Sequence, residues 1–548
     1  HKSSARYRCC FALPHNVHPM AWHLDRWLLC TTFVITRTAC ATPGPGDPTC
    51  AAAGACAARR TLSTAYHWPN SRGRVGQYGI SAHVGPRNLS TTHAWTWHPP
   101  RGKYGTIFNG GALIDDEMNI YTAAIDAIYK LSPDGQLLWT YEGQFSTVPS
   151  LHEGVLYGSQ TTGEMFALSM ETGLPIWSVK VGDTVGGDIA AMGVHQGVVL
   201  SSTDGRVAGG DKHVTAMNSS DGSVLWVFKA DAQLWNCMPM FTDEGSAVFQ
   251  DQIGGVYHIR LADGRLLWKA GYAGSFEETW TDGLATLGSN GIVYAVHVAV
   301  PLRELGPLSP GDLSAYRLRD GALLWQQHFP YPPNSQPLVA QLRPGSKLSV
   351  VMPIGVQPLF GHWFVAVILL SFGVPLGLLC GLACGVACCC CGRLCCKVAG
   401  ADCTRLTSSA RRGAALGAIL SLAIALLICS NLALLHHSRF PAEVRVFDAE
   451  TGTPQWSWAP ELWEWSSCAG DTIGFFPRVF SGSPRPFCIP NPWSSPAIDA
   501  EGTIYLGHAN GKLYAISDSN SDNVIDDETE VSSFDLGVAF GHPGAGLA

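Results

Sequence analysis

Short runs in which apolar and polar residues alternate recur along most of the chain. They read "AIYKLSP", "EMFALSM", "HVTAMNS", "GVYHIRL", "LSAYRLR" and "EVRVFDA". Alternation with a period of two is typical of β-strands that bury one face. A second strand pattern, such as "GVLYGS" or "GIVYAV", precedes most of these runs. The hydrophobic pattern therefore predicts an all-β protein made of short antiparallel strands.

A turn and a tryptophan follow each run at a fixed spacing. The turn is Asp-Gly or Thr-Gly, and three residues later comes Trp139, Trp177, Trp226, Trp268, Trp325 or Trp456. Glycine suits such turns because it adopts positive φ without strain. The first four intervals between these tryptophans range from 38 to 57 residues, and the fifth is 131. The shorter intervals suit a repeat of four strands, and the long one indicates an insertion of about 90 residues.

This unit resembles the repeat of pyrroloquinoline-quinone-type (PQQ-type) β-propellers, the quinoprotein alcohol dehydrogenase-like family. The family pattern is A-x-D-x-x-G-x-[IV]-Y-x-G, then G-x-L-Y-A-L-[DN]-x-x-[TD]-G-x-x-x-W, and residues 149–177 and 496–517 fit it best. The resemblance covers residues 85–350 and the first part of 440–548. It implies a propeller of about seven four-stranded blades. Eight blades are one alternative, and a β-sandwich is the alternative outside this family.

The expected blade cores follow one another along the chain. They lie near 112–139, 149–177, 192–226, 240–268, 285–325, 338–456 and 496–530. The last blade lacks its own tryptophan strand, whereas "NLSTTHAWTWHPP" (88–100) precedes the first blade. We therefore expect residues 88–100 to form the outer strand of the last blade and so to join the two ends of the ring.

Two long apolar stretches lie within the predicted insertion, residues 360–437. Residues 365–387 and 414–435 are each long enough to cross about 30 Å of hydrocarbon as a helix. The loop between them, 392–412, carries five basic residues and one aspartate. Such an excess of basic residues is typical of cytoplasmic loops, so we expect this loop in the cytoplasm. The sequence thus predicts an integral membrane protein in which a transmembrane helical hairpin interrupts the sixth blade. The propeller is then expected on the lumenal or extracellular side.

Several residues are candidates for covalent modification. Cysteines at the end of the first apolar stretch are candidates for acylation: Cys388, Cys389, Cys390, Cys391, Cys395 and Cys396. Cys468 and Cys488 are either a disulfide or two free thiols. Asn88 and Asn218 head glycosylation sequons. Residues 1–75 lack the repeat, and we expect a disordered leader with a secretory signal that begins at Met20.

Acidic residues cluster in the last unit, where "DSNSDNVIDDETE" replaces the expected Asp-Gly turn. Asp518, Asn520, Asp522 and Asp526 take positions 1, 3, 5 and 9 of a loop that resembles an EF-hand calcium loop. Asn523 and Thr529 depart from that pattern at positions 6 and 12. The loop is therefore either a Ca²⁺ site or an acidic, solvated turn. The clusters at 115–117 and 277–278 are expected to be solvated.

Composition narrows the function. The net charge is −8 and only 14% of residues are charged, which argues against a nucleic-acid partner. Quinone dehydrogenases of the resembled family hold the quinone with Ca²⁺ on an indole, and many carry a disulfide of adjacent cysteines. The expected propeller has no adjacent cysteines, and its repeated tryptophans are structural positions. We therefore predict a membrane-anchored, non-catalytic propeller that acts as a protein- or ligand-binding or scaffolding module, with a protein or peptide partner and no cofactor other than the possible Ca²⁺. The alternative is a membrane-bound, PQQ-dependent alcohol or sugar dehydrogenase.

Overall fold

The computed structural model describes residues 66–102, 106–108, 110–145, 147–182, 190–203, 212–234, 236–275, 278–281, 285–299, 309–356, 440–463, 480 and 491–536. The chain begins with three short elements that precede the sheets. They are β1 (Gly73–Arg74), β2 (Gln77–Tyr78) and the 3-10 turn η1 (Leu89–Thr91). The first two pair with each other as an antiparallel hairpin.

Seven antiparallel sheets then follow in chain order within the described residues. Blade 1 contains β3 (Leu113–Ile114), β4 (Ile120–Ala123), β5 (Ala127–Leu131) and β6 (Leu137–Glu142). The short strand β7 (Thr147–Val148) leads into blade 2, which contains β8 (Ser150–His152), β9 (Val155–Ser159), β10 (Glu164–Ser169) and β11 (Pro175–Lys180). The next strand, β12 (Ala190–Ala191), pairs in parallel with β7 and links the second blade to the third.

The middle of the ring repeats this arrangement. Blade 3 contains β13 (Gly193–His195), β14 (Val198–Thr203), β15 (His213–Asn218) and β16 (Val224–Lys229). Blade 4 contains β17 (Met240–Thr242), β18 (Ser246–Gln250), β19 (Gly255–Arg260) and β20 (Leu266–Gly271). In blade 5 the first strand is split, and the sheet contains β21 (Thr279–Trp280), β22 (Thr286–Leu287), β23 (Ile292–Ala299), β24 (Gly311–Arg317) and β25 (Leu323–Phe329).

Two blades complete the ring. Blade 6 contains β26 (Leu338–Gln341), β27 (Leu348–Gly355), β28 (Ala442–Asp448) and β29 (Pro454–Trp458). Blade 7 contains β30 (Ala497–Ile498), β31 (Ile504–Gly507), β32 (Lys512–Ile516) and β33 (Val531–Asp535). The prediction of an all-β propeller with about seven blades is confirmed. Within each blade the strands pair in chain order, except that β21 and β22 of blade 5 both pair with β23.

The repeated tryptophan and glycine contact each other across neighbouring blades. A Cβ on Gly222 of blade 3 would lie 2.6 Å from Cε3 of Trp177 in blade 2. The same indole donates its Nε1 hydrogen to the Ser219 carbonyl at 2.9 Å. Trp139, Trp226, Trp268 and Trp325 make the same pair of contacts with the next blade. The glycine therefore serves two purposes, since it permits the turn and leaves room for the indole.

The outer strand of blade 7 corrects one prediction. Residues 88–100 were expected to form it, but β33 pairs with β32 and occupies that place. The early segment instead packs beside β33 and supplies the missing tryptophan. A Cβ on Gly135 of blade 1 would lie 2.9 Å from the Trp95 ring, and Trp95 Nε1 donates to the Pro133 carbonyl at 3.0 Å. The tryptophan pattern therefore predicted that this segment supplies an indole to the ring, but it did not predict which residues form the outer strand of blade 7.

The sixth blade continues on both sides of the long insertion. Strands β27 and β28 pair directly from Ser349 opposite Asp448 to Gly355 opposite Ala442. The chain thus leaves and re-enters the sheet at one point. The two apolar stretches, 365–387 and 414–435, the loop 392–412 and the six juxtamembrane cysteines all lie outside the described residues.

The predicted membrane localisation is corrected. In the part of the chain that the structure describes, no helix has both the length and the apolar character needed to cross a bilayer. The regular secondary structure of the described residues consists almost wholly of β-strands, which pair within sheets. The prediction of an integral membrane protein with two spans rested on hydropathy alone, and the structure does not uphold it.

Candidate functional site

The first strand of each blade lines the centre of the ring. These inner strands are buried, as in β8 and β17, whereas the fourth strands alternate exposed and half-buried residues. A propeller leaves a channel at this centre, and concave sites of this kind are where ligands of cofactor size bind.

Residues 66–85, here called the axis segment, run along the inner strands of several blades. Trp68 exchanges two backbone hydrogen bonds of 2.9 Å with Ile114 of blade 1. The amide of Leu151 in blade 2 donates to the Pro69 carbonyl at 2.7 Å. The first part of the segment thus extends the inner edges of two neighbouring blades.

The second part of the axis segment reaches the opposite side of the ring. The hydroxyl of Tyr78 bonds both the amide and the carbonyl of Phe241 in blade 4, at 2.6 and 3.1 Å. Gly79 accepts from the amide of Ile498 in blade 7, and the amide of Ser81 donates to the Ile498 carbonyl, both at 2.8 Å. The segment therefore crosses the central channel.

Gly79 shows how tightly the axis segment is packed. Its φ is +79°, and a Cβ there would lie 2.6 Å from Cδ1 of Leu338 in blade 6 and 2.8 Å from Nη2 of Arg72. Gly76, at the tip of the hairpin, has no atom within 4 Å of such a position. The base of the hairpin is closely packed, whereas its tip is open.

Arg72 is a buried charge without an acidic partner among the described residues. The side chain is 0% exposed, and Nη2 donates to the Pro496 carbonyl at 2.9 Å. Its Nε and Nη1 atoms have no hydrogen-bond partner. Burial lowers the pKa of Arg72 to about 9. Such a charge is costly to bury, because water is removed from it and no carboxylate replaces the water.

Two histidines flank the axis segment on one face of the ring. His83 Nε2 lies 2.7 Å from His67 Nδ1. Burial, the His83 ring and Arg74 hold the pKa of His67 below its usual value, against a hydrogen bond to the backbone of Asp116. Both ends of the segment also bond to turns between the first and second strands of blades. The Gly154 amide donates to the Tyr66 hydroxyl, and the Ala500 amide donates to the His83 carbonyl.

The sequence did not indicate this site. Residues 66–75 were assigned to a disordered leader because they carry no blade repeat, and that assignment is corrected here. Tyr66, Trp68 and Tyr78 are aromatic, and Gly73, Gly76 and Gly79 recur every third residue. Aromatic residues among regularly spaced glycines were the available signal of a packed, sharply turning segment.

The acidic loop of blade 7 is organised around Glu530. The Glu530 carboxylate accepts the backbone amides of Ser519, Asn520 and Asp526 at 2.7 to 3.2 Å. These bonds outweigh burial and hold the pKa of Glu530 below its usual value. Asp518 lies 3.4 Å from Arg343 Nη2.

The proposed ligands of the calcium loop make local contacts. Asn520 donates to Asp522 at 2.9 Å, and Asp526 accepts from Thr529 at 2.9 Å. Among the described residues, no group of three or more His, Cys, Asp or Glu side chains is placed to hold a metal ion. Calcium binding by this loop stays a prediction.

The other predicted site residues lie apart from the axis. The carbonyl oxygens of the Asn88 and Asn218 side chains accept hydrogen bonds from Ser90 and Ser220 in local turns. Glycosylation of these residues stays a prediction. Cys468 and Cys488 lie outside the described residues.

The acidic cluster at 115–117 corrects another expectation. Asp115 was expected to be solvated, but it is buried. It accepts the amides of Glu117 and Asn119 and the hydroxyl of Tyr121. The carboxylate therefore closes the turn between two strands, as Asp499 does in blade 7.

The described residues do not fit a quinone held by Ca²⁺ in the centre of the ring. The axis segment fills the place where a planar cofactor would lie. The repeated tryptophans lie between blades, where their Nε1 atoms bond backbone carbonyls, except for Trp456, whose Nε1 is buried without a partner. Among the described residues, no set of three or more acidic, His or Cys side chains is placed to hold the Ca²⁺ of such a cofactor.

Comparison with known proteins agrees with the fold. Residues 124–299, about a third of the chain, match the PQQ-repeat family model described as outer membrane protein assembly factor BamB. No curated protein matches the chain. The repeat and this match support a PQQ-type β-propeller.

Solved structures are similar at low identity. BamB from Moraxella catarrhalis is 16% identical, with 52% of this chain and 83% of that chain covered and a TM-score of 0.36. A europium-containing methanol dehydrogenase is 11% identical, with 84% and 85% covered and a TM-score of 0.49. The quinohemoprotein alcohol dehydrogenase from Comamonas testosteroni is 10% identical, with 88% and 75% covered and a TM-score of 0.48. Likenesses of this degree say nothing about activity.

Proposed function

We propose that the chain is a non-catalytic propeller that binds an extended protein or peptide segment on its outer strands. The observation that carries this proposal is the axis segment, which contacts the inner strands of blades 1, 2, 4, 6 and 7. The concave place that a quinone and its substrate need is taken by the chain itself. The match to a family named for an assembly factor supports a binding role by analogy.

The outer strands of blades 1 to 5 carry the surface that suits a partner. Large apolar side chains next to the repeated tryptophans are 37 to 65% exposed, as Leu138, Ile176, Leu225, Leu267 and Leu324 illustrate. The fourth strand is also the edge of its sheet, with backbone groups free to pair. Apolar side chains on a free edge suit strand addition by an extended peptide.

Blade 7 indicates the chemistry of such a peptide, because the chain's own residues 89–93 already pack on its outer strand. Leu89 is buried against this blade, and its amide donates to Ser532 Oγ at 3.0 Å. The His93 ring stacks on Phe534, with ring centroids 6.2 Å apart. We therefore expect a partner segment that is extended and carries spaced apolar and aromatic side chains.

A peptide array tests the proposal. The full chain is expected to select 12-residue peptides rich in Leu and Trp, and the variant Leu138→Lys/Leu267→Lys is expected to bind them at least about tenfold more weakly, because two apolar contacts are lost. Thr140→Lys is the matched control, since Thr140 is exposed on the same strand β6 as Leu138. Equal binding by the double variant would overturn the proposal. Dye-linked oxidation of alcohols or sugars after incubation with PQQ and Ca²⁺ would also overturn it.

A further inference from the structure

The two histidines at the ends of the axis segment turn their ring nitrogens toward each other. Nδ1 of His67 and Nε2 of His83 are 2.7 Å apart, and the rings are inclined at 58°. The part of the chain that crosses the channel lies between these two histidines in the sequence and includes the hairpin of β1 and β2. Whatever joins the two rings therefore closes the axis segment into a loop.

The geometry of the two rings is close to that of a pair of metal ligands. Imidazole nitrogens lie about 2.0–2.1 Å from Zn²⁺, so two of them on one ion are about 3.0–3.4 Å apart. The observed separation is shorter by a few tenths of an ångström. Because His83 is exposed, a small rotation of its side chain opens this distance without disturbing the core.

The 2.7 Å contact between Nδ1 of His67 and Nε2 of His83 is a hydrogen bond, so one of the two nitrogens carries a hydrogen. Each neutral imidazole has a second ring nitrogen that can carry this hydrogen instead. When an ion binds, the hydrogen moves to that second nitrogen of the same ring. Both facing lone pairs are then available to the metal.

We propose that His67 and His83 bind a divalent transition ion that prefers imidazole, of the Zn²⁺ or Ni²⁺ class, and that this ion fastens the two ends of the axis segment. Among the described residues no third His, Cys, Asp or Glu completes the group. Water fills the remaining coordination positions. The site is independent of partner binding on the outer strands.

Hydrogen exchange with Ni²⁺ on the full chain tests the site. The reporters are the amides of Gly73, Gly79 and Ile80, which bond within the axis segment. At a Ni²⁺ concentration 100 times the dissociation constant, local opening is expected to slow by about 100-fold. The amides of β19 in blade 4 serve as the internal reference and are expected to stay unchanged.

The variants His83→Gln and His67→Gln separate this site from other metal-binding groups in the chain. Each is expected to lose the Ni²⁺ effect while β19 keeps its protection, which verifies that the variant is folded. His93→Gln, an exposed histidine outside the axis segment, is expected to keep it. The proposal is wrong if Ni²⁺ leaves exchange in the axis segment unchanged, or if the effect persists in both site variants. Neither result bears on the peptide array.

Discussion

At the scale of single residues, the repeat is held together by contacts between unlike partners in neighbouring blades. The turn glycine of one blade packs against the indole of the preceding blade. The Nε1 hydrogen of that indole is donated to a backbone carbonyl in the same turn as the glycine. Buried aspartates also stabilise individual turns, because the carboxylates of Asp115 and Asp499 accept hydrogen bonds from backbone amides within them. Each blade therefore depends on its neighbour for the packing of its tryptophan.

Gly222→Ala tests this dependence. Gly222 has φ of +73°, and its new Cβ would lie 2.6 Å from Trp177. We expect the free energy of unfolding to fall by about 2 kcal/mol or more, from backbone strain together with displacement of the indole. Gly154→Ala is the control, because Gly154 has φ of +80° but nothing within 4 Å.

Urea denaturation measures both glycine variants. The control is expected to lose only the strain component, about 1 kcal/mol. Equal losses in the two variants would show that the contact with the indole contributes nothing.

At the scale of elements, the axis segment differs from the blades in how it is stabilised. Its hairpin has only two residue pairs, and its place in the channel comes from bonds to the inner strands. Trp68 and Tyr78 bury large apolar surfaces, whereas Arg72 buries a charge without an acidic partner. The segment is thus held by its aromatic residues and weakened by its arginine.

Arg72→Met tests this balance. We expect the free energy of unfolding to rise by about 1 kcal/mol or more, because an apolar side chain of similar length removes a costly buried charge. Arg74→Met is the control, since half-buried Arg74 donates to the Tyr66 carbonyl at 2.7 Å and its loss is expected to destabilise. Urea denaturation measures whether the free energy of unfolding rises or falls in each variant. A loss of stability in Arg72→Met would mean that the guanidinium has a compensating partner.

At the scale of the whole molecule, the ring is closed from two sides. Blade 7 supplies its own outer strand, and the early segment packs Leu89 against blade 7 and Trp95 against blade 1. The long insertion does not open the ring, because β27 and β28 pair along their whole length. We therefore expect the propeller to fold without the residues between these strands.

Replacement of residues 357–440 by a four-residue Gly-Ser linker tests this independence. Gly355 and Ala442 lie opposite each other in the sheet, so a short turn can join them. We expect one cooperative thermal transition at a temperature equal to or above that of the full chain, because a shorter loop costs less entropy to close. Near-ultraviolet circular dichroism follows the packing of the tryptophans. Loss of that signal would mean that the insertion holds the sixth blade together.

The sequence by itself determined the repeat, an all-β propeller of seven or eight blades, and the strands on each side of the insertion. It could do so because alternation and the spacing of Gly and Trp are local patterns that every blade must satisfy. The tertiary structure alone decided which strand completes blade 7, that Asp115 is buried, and what lies in the channel. Residues 66–85 are held by bonds to the inner strands of five blades as well as by short-range bonds of their own. Their aromatic residues and spaced glycines indicate a packed turn, but only the closed ring shows where that turn lies.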